Sequence, residues 1–112
     1  MSDFPTHARV VIIGGGAVGA SALYHLCKAG WTACVLLEKN ELTAGSTWHA
    51  AGNVPTFSSS WSIMNMQRYS AELYRGLGDE VDYPMNYNVT GSVRLGHTKE
   101  RLQEFQKVVG MG

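Results

Sequence analysis

The stretch RVVIIGGGAVG, residues 9 to 19, decides the fold of this chain. Its short run of β-branched apolar residues leads directly into glycines, which is typical of a strand buried on both faces of a parallel sheet. Residues 17–29 predict a helix because small and apolar side chains recur at helical spacing, and Gly30 is expected to end it. A second apolar run at 32–37 predicts another strand, so the chain opens with a β–α–β unit whose strands are parallel.

The glycines of this stretch have the spacing G-x-G-x-x-G at the junction of strand and helix. Gly14 permits the tight turn, Gly16 lets the backbone approach a pyrophosphate, and Gly19 lets the helix pack closely on the strand. The phosphates are expected on the free N–H groups at the positive end of the helix. Glu38 ends the second strand, where a carboxylate accepts hydrogen bonds from a ribose 2′-hydroxyl and repels a 2′-phosphate. The motif therefore predicts a dinucleotide site that disfavours NADP and leaves FAD and NAD open.

The middle of the chain carries weaker signals. Residues 40–59 have no sustained period, and a structureless stretch of this length inside a compact domain is usually functional. Ser60 is expected to cap a helix that reaches about Leu77. Gly76 and Gly78 are expected to end that helix.

The last part of the chain predicts one extended segment and one helix. Residues 87–95 favour an extended segment, with a possible break into two short strands at Thr90 and Gly91. Thr98 can cap the final helix, whose apolar face is predicted to be Leu102, Phe105 and Val109. A doubly wound sheet needs about five or six strands. We therefore predict an α/β fold, the Rossmann-type β–α–β start of a doubly wound sheet that is incomplete in this chain.

The composition is that of a small soluble domain, with 112 residues, a formal net charge of zero and 45% hydrophobic residues. The sequence has no basic stripe of the kind that indicates nucleic-acid binding. No apolar run reaches the roughly 18 residues that a membrane span needs. No signal peptide or presequence is recognisable, so we expect a cytoplasmic protein, or a mitochondrial-matrix protein if a presequence is missing. Cys27 and Cys34 predict buried thiols rather than a disulfide, and their spacing predicts no metal site.

A second motif begins at Glu38, with the sequence EKNELTAGSTWHAAG over residues 38 to 52. It resembles the second flavin-binding segment of the FAD-dependent amine oxidoreductases related to D-amino-acid oxidase, above all the dimethylglycine and sarcosine dehydrogenases. The resemblance covers essentially the whole chain and includes Val89–Leu95. It implies FAD as the cofactor and makes residues 1–112 the N-terminal part of an FAD-binding oxidoreductase domain. In that family the histidine of the Trp–His pair is bonded to the 8α carbon of FAD, and by position this is His49.

Together, the glycine motif and the resemblance predict a set of cofactor-binding residues: Gly14, Gly16, Ala17, Val18, Gly19, Glu38, Lys39, Gly45, Ser46, Thr47 and His49. For His49, a non-covalent flavin contact and a plain loop histidine are the alternatives to covalent attachment. Trp48 either walls the flavin or belongs to the core. The other candidate polar residues are expected on the surface or on helix faces, namely His7, His25, His97, Arg68 and Tyr69.

The resemblance implies that an N-methyl group of a small amine such as dimethylglycine is oxidised. Hydride would pass from the methyl carbon to flavin N5. The carbon would leave as formaldehyde or pass to tetrahydrofolate on a C-terminal module, in one-carbon metabolism. An electron-transfer flavoprotein or oxygen would accept the electrons. No catalytic acid or base is assigned, because in this family those groups lie mostly in a later domain, and the chain alone is not expected to be active.

Two other functions stay open. A regulatory subunit of pyruvate dehydrogenase phosphatase is built on the same scaffold without being catalytic. An NAD-dependent dehydrogenase would share the glycine turn, although the 45–52 stretch favours a flavin.

Overall fold

The computed structural model describes residues 5–111 and divides the chain into two compact units, with the boundary between Gly52 and Asn53. The first unit contains a strand, a helix and a second strand, and the second unit contains two helices. In chain order these elements are β1 (Val10–Ile13), α1 (Ala17–Lys28), β2 (Cys34–Leu37), α2 (Trp61–Glu80) and α3 (Lys99–Val109).

The first unit is a β–α–β unit. Strands β1 and β2 are parallel, with Val10 opposite Cys34 and Ile13 opposite Leu37. Helix α1 connects them and packs against both strands. The predicted incomplete Rossmann-type start is therefore confirmed, with element ends that differ from the prediction by one or two residues.

Burial in this unit is lower than the sequence predicted. The side chain of Ile13 is 87% exposed and that of Val18 is 85% exposed, although both were expected in a covered sheet or helix face. Cys27 is exposed and Cys34 is half-buried, so the prediction of two buried thiols is wrong. The physical reason is that a two-stranded sheet with one helix covers only part of its own apolar surface.

Helix α2 does not end at its glycines. It runs through Gly76 and Gly78 to Glu80, and Val81 N donates to Leu77 O at 3.0 Å at its end. Glycine weakens a helix interior by about 1 kcal/mol but keeps its backbone N–H, so the hydrogen-bond ladder continues. The helix ends where the backbone of Asp82 takes a φ of 50°.

The segment 87–95 forms no strand in the structure. An extended segment becomes a strand only when a neighbour pairs with its backbone, and none does so among the described residues. Helix α3 begins as predicted, since the side chain of Thr98 accepts from Arg101 N. Its buried face differs, because Val108 is 2% exposed whereas Val109 is 74% exposed.

Among the described residues, the second unit buries few hydrophobic side chains. Met64 and Ala71 of α2 and Val108 of α3 are its buried hydrophobic residues. Phe57 also lies edge-on to Phe105, with 5.9 Å between the ring centroids. Within the described range, neither α2 nor any other helix combines the length and the apolar character needed to cross a membrane.

Candidate functional site

The glycine turn joins β1 to α1 in a conformation that depends on two of its glycines. Gly14 has a φ of 109°, in the region that favours glycine, and its N–H donates to Leu37 O at 2.8 Å. A Cβ built on Gly19 would collide with the carbonyl oxygen of Gly14. The first turn of α1 can therefore lie directly against the end of β1 only because both positions are glycine.

The start of α1 offers hydrogen-bond donors to an anion. Gly16 is its N-cap, and no acidic side chain lies in the first turn. Within the described part of the chain, the N–H groups of Val18 and Gly19 have no acceptor. Unpaired N–H groups at the positive end of a helix form a ready site for phosphate oxygens.

Glu38 follows β2 and lies beside the glycine turn. Its Oε2 accepts from Gly15 N at 2.7 Å, and its Oε1 accepts from Asn40 N at 2.9 Å. These bonds, that from Gly15 first, lower the pKa of Glu38 below its ordinary value of 4.5. The carboxylate is thus ionised at neutral pH, and its remaining lone pairs can accept from a hydroxyl group. Lys39, the next residue, is exposed.

The loop after Glu38 folds back onto the glycine turn. Thr43 N donates to Gly15 O at 3.0 Å, and the hydroxyl oxygen of Thr47 accepts from Ala17 N at 2.9 Å. A Cβ on Gly16 would lie 2.9 Å from that same hydroxyl oxygen. Gly16 therefore gives clearance to a side chain of the loop as well as to any pyrophosphate. The sequence pattern indicated no such contact, because the two residues lie far apart in a segment without periodicity.

Residues 42–49 form consecutive turns rather than a structureless loop. His49 N donates to Ser46 O at 3.1 Å, and Ala50 N donates to Thr47 O at 3.2 Å. The imidazole Nδ1 of His49 lies 3.0 Å from Gly45 O. A carbonyl oxygen only accepts, so Nδ1 donates in this bond, and in the neutral imidazole the lone pair lies on Nε2. The side chain of His49 is exposed, so Nε2 is the ring nitrogen open to a nucleophilic role.

The remaining residues near this turn are open to solvent. Trp48 is 77% exposed, which is contrary to a place in the core of this unit. Gly45 and Ser46 are also exposed.

The other histidines show no comparable setting, since His7 and His97 are exposed and His25 Nδ1 bonds to Ser21 O in its own helix. Arg68 and Tyr69 are exposed on α2 of the second unit.

The chemistry of this donor set fits a flavin dinucleotide. Open amides at the helix start suit a pyrophosphate, a carboxylate suits a ribose hydroxyl, and an exposed imidazole lies on a turn held against the same helix start. No group of His, Cys, Asp and Glu side chains is placed to hold a metal ion in the range that the structure describes.

Comparison with known proteins agrees with this chemistry. Human dimethylglycine dehydrogenase is 48% identical over 105 residues, mouse pyruvate dehydrogenase phosphatase regulatory subunit 42% over 104, and human sarcosine dehydrogenase 33% over 109. The alignments cover 94%, 93% and 96% of this chain, but the chain spans only 12% of the length of each relative. All three are mitochondrial proteins by name, so the cytoplasmic expectation finds no support and the mitochondrial alternative fits them.

A family model decides the class of protein. The model of the DAO family, described as FAD dependent oxidoreductase, matches residues 9–112. The match contains the glycine turn, Glu38 and the turn that carries His49. The chain therefore belongs to the DAO family of FAD-dependent oxidoreductases.

Proposed function

We propose that the whole protein oxidises an N-methyl group of a small amine such as dimethylglycine, with FAD bound by the glycine turn and the His49 turn. Family membership and the 48% identity to a dimethylglycine dehydrogenase support this reaction. One structural observation carries the link to this chain. An imidazole with a free Nε2 lies on a turn that is hydrogen-bonded to the start of α1.

The ADP half of FAD is assigned to the first β–α–β unit. Gly14, Gly16 and Gly19 shape the turn, and the amides of Ala17 and Val18 lie at its helix start. The lowered pKa of the Glu38 carboxyl keeps an acceptor available for the ribose 2′-hydroxyl. The proposed cofactor contacts also include three exposed residues, Lys39, Gly45 and Ser46.

His49 is proposed to hold the flavin covalently through Nε2. Attachment replaces a methyl C–H bond at the 8α position by an Nε2–C bond. One proton would leave the methyl group and one would leave Nδ1 of His49, and the two electrons would pass to the flavin and then to dioxygen, which would become hydrogen peroxide. The bond from Nδ1 to Gly45 O keeps the imidazole in the tautomer that this reaction needs. When bound, FAD supplies the hydride acceptor for the substrate's methyl carbon.

The substrate pocket and the electron acceptor belong to the whole protein. Sarcosine is the second candidate substrate, since human sarcosine dehydrogenase is 33% identical to this chain. An electron-transfer flavoprotein is the proposed acceptor, and tetrahydrofolate is the proposed recipient of the one-carbon unit. No described residue is assigned a catalytic role.

The experiment mixes the purified whole protein with dimethylglycine or sarcosine under anaerobic conditions. We expect the visible flavin absorbance to bleach with one of the two amines, and formaldehyde to form in proportion to flavin. Glycine, which lacks the N-methyl group, is the matched control and should leave the absorbance unchanged. A flavin that neither amine reduces would contradict the proposed reaction.

A second candidate function is non-catalytic regulation. It is favoured by the mouse regulatory subunit, which is 42% identical to this chain whereas sarcosine dehydrogenase is 33% identical. A regulatory protein on this scaffold would show no amine-dependent bleaching. The same anaerobic experiment therefore separates the two functions.

A further inference from the structure

The hydroxyl of Thr47 joins the two halves of the candidate site. Its oxygen accepts from Ala17 N at 2.9 Å, and the two residues are 30 positions apart in the sequence. Gly16 allows this approach, because a Cβ there would lie 2.9 Å from the same oxygen. Thr47 is half-buried while its neighbours Ser46 and Trp48 are exposed, so it is the residue by which this turn contacts the helix start.

Thr47 also lies within the turn that carries His49. Its carbonyl accepts from Ala50 N at 3.2 Å, and His49 N donates to Ser46 O at 3.1 Å. The imidazole is bonded to Gly45 O in the same turn. Because these hydrogen bonds connect Thr47 and His49 within one turn, we expect a displacement of Thr47 to displace His49 as well.

This turn is hydrogen-bonded to the glycine turn through its backbone as well as through the side chain of Thr47. Thr43 N donates to Gly15 O at 3.0 Å, and Thr43 O in turn accepts from Trp48 N at 3.0 Å. Among the described side chains of residues 39–50, that of Thr47 alone hydrogen-bonds to the glycine turn or the start of α1. The position of His49 relative to the helix start therefore depends on this hydroxyl together with the backbone bond of Thr43.

We infer that Thr47 is a positioning residue that sets the place of His49 for flavin attachment, an inference that rests on the proposed covalent link. A hydroxyl that accepts from Ala17 N keeps its own proton for a phosphate oxygen of the cofactor. One side chain thus connects the helix start, the cofactor and the His49 turn. Since a misplacement of about 1 Å can lower a rate about a hundredfold, losing this connection slows attachment more than it weakens binding.

The test measures covalent attachment in the whole protein, prepared without flavin and then mixed with FAD. Thr47→Ser and Thr47→Ala form a matched pair that differs only by the hydroxyl. Attachment is followed as flavin fluorescence that stays with the acid-denatured polypeptide, and its maximal rate is taken at saturating FAD. We expect T47S to stay within about threefold of wild type and T47A to be slower by about tenfold or more. Thr56→Ala, at an exposed threonine outside this site, should match wild type.

Equal maximal rates for T47S and T47A would overturn the inference, even if T47A needed more FAD, because a binding role alone changes only the half-saturating concentration. If T47A does not fold, Thr47→Val replaces it in the comparison, since valine keeps the shape of threonine without its hydroxyl. Wild-type protein that never attaches flavin would overturn both this inference and the proposed covalent link. Attachment at the same rate in wild type and T47A would overturn this inference alone.

Discussion

At the scale of single residues, Gly19 is the position where the turn has no room for a side chain. A Cβ there would collide with Gly14 O. We predict that Gly19→Ala lowers the free energy of unfolding by about 2 kcal/mol or more and abolishes FAD binding, because the first turn of α1 must move away from β1. Thermal unfolding and bound flavin per polypeptide measure both effects. A G19A protein with wild-type flavin content would show that the close approach is unnecessary.

Glu38 makes the stability of the turn depend on pH. Its pKa is lowered from 4.5 in the fold, so its hydrogen bonds stabilise the folded state above that value and lose their effect as the pH falls through the lowered pKa. We predict that Glu38→Gln is less stable than wild type at neutral pH and that the difference shrinks below pH 4.5. Melting temperatures of both proteins between pH 7 and pH 3 check this. A difference that stays constant would mean that the Glu38 charge has no role in the turn.

The position of the glycine turn between strand and helix was predictable because it depends on spacing within one short motif. The bond between Thr47 and Ala17 was not predictable, because it depends on how a loop without periodicity folds back. The same holds for the tautomer of His49, which is set by a carbonyl four residues earlier. Whether the predicted site residues contact FAD stays a prediction that the variants above address.

At the scale of elements, helix α2 contains two glycines in different surroundings. A Cβ on Gly76 would meet nothing within 4 Å, whereas a Cβ on Gly78 would lie 3.2 Å from Tyr83 O. We predict that Gly76→Ala raises the free energy of unfolding by about 0.5–1 kcal/mol, since alanine loses less backbone entropy in a helix. Gly78→Ala should gain less or nothing, because its methyl group crowds that carbonyl. Equal stabilisation by both substitutions in denaturant unfolding would contradict this difference.

The two predicted helix caps of the second unit also differ. The side chain of Thr98 accepts from Arg101 N at 3.2 Å, whereas that of Ser60 makes no capping bond. We predict that Thr98→Ala costs about 1 kcal/mol of stability. Ser60→Ala should stay within about 0.5 kcal/mol of wild type, as expected for a position without such a bond. Denaturant unfolding of the two variants measures this pair, and a larger loss for S60A would contradict the cap geometry.

Element types followed from the sequence more closely than burial did. The apolar runs and the glycine turn predicted β1, α1 and β2, because residues close together in the sequence determine a strand–turn–helix junction. The segment 87–95 did not become a strand and Val109 was not buried, because pairing and burial depend on what packs against an element. Local periodicity carries no information about that neighbour.

At the scale of the whole molecule, the candidate flavin site lies within the first unit, from the glycine turn to His49. The same unit contains β1, whose Val11 and Ile13 side chains are exposed. The chain spans 12% of the length of human dimethylglycine dehydrogenase, so amine oxidation is a proposal about the whole protein. This chain contributes to that proposal the glycine turn of an FAD-dependent oxidoreductase family and His49 as the proposed attachment residue.

The covalent state of the flavin tests the central claim most directly. The whole protein is denatured in acid, and the peptide that contains residue 49 is isolated and weighed by mass spectrometry, for wild type and for His49→Ala. We predict that the wild-type peptide carries the mass of FAD on His49, while the H49A protein releases all of its flavin on denaturation. Flavin that is released from wild-type protein as free FAD, or that is bonded to another residue, would contradict the assignment of His49.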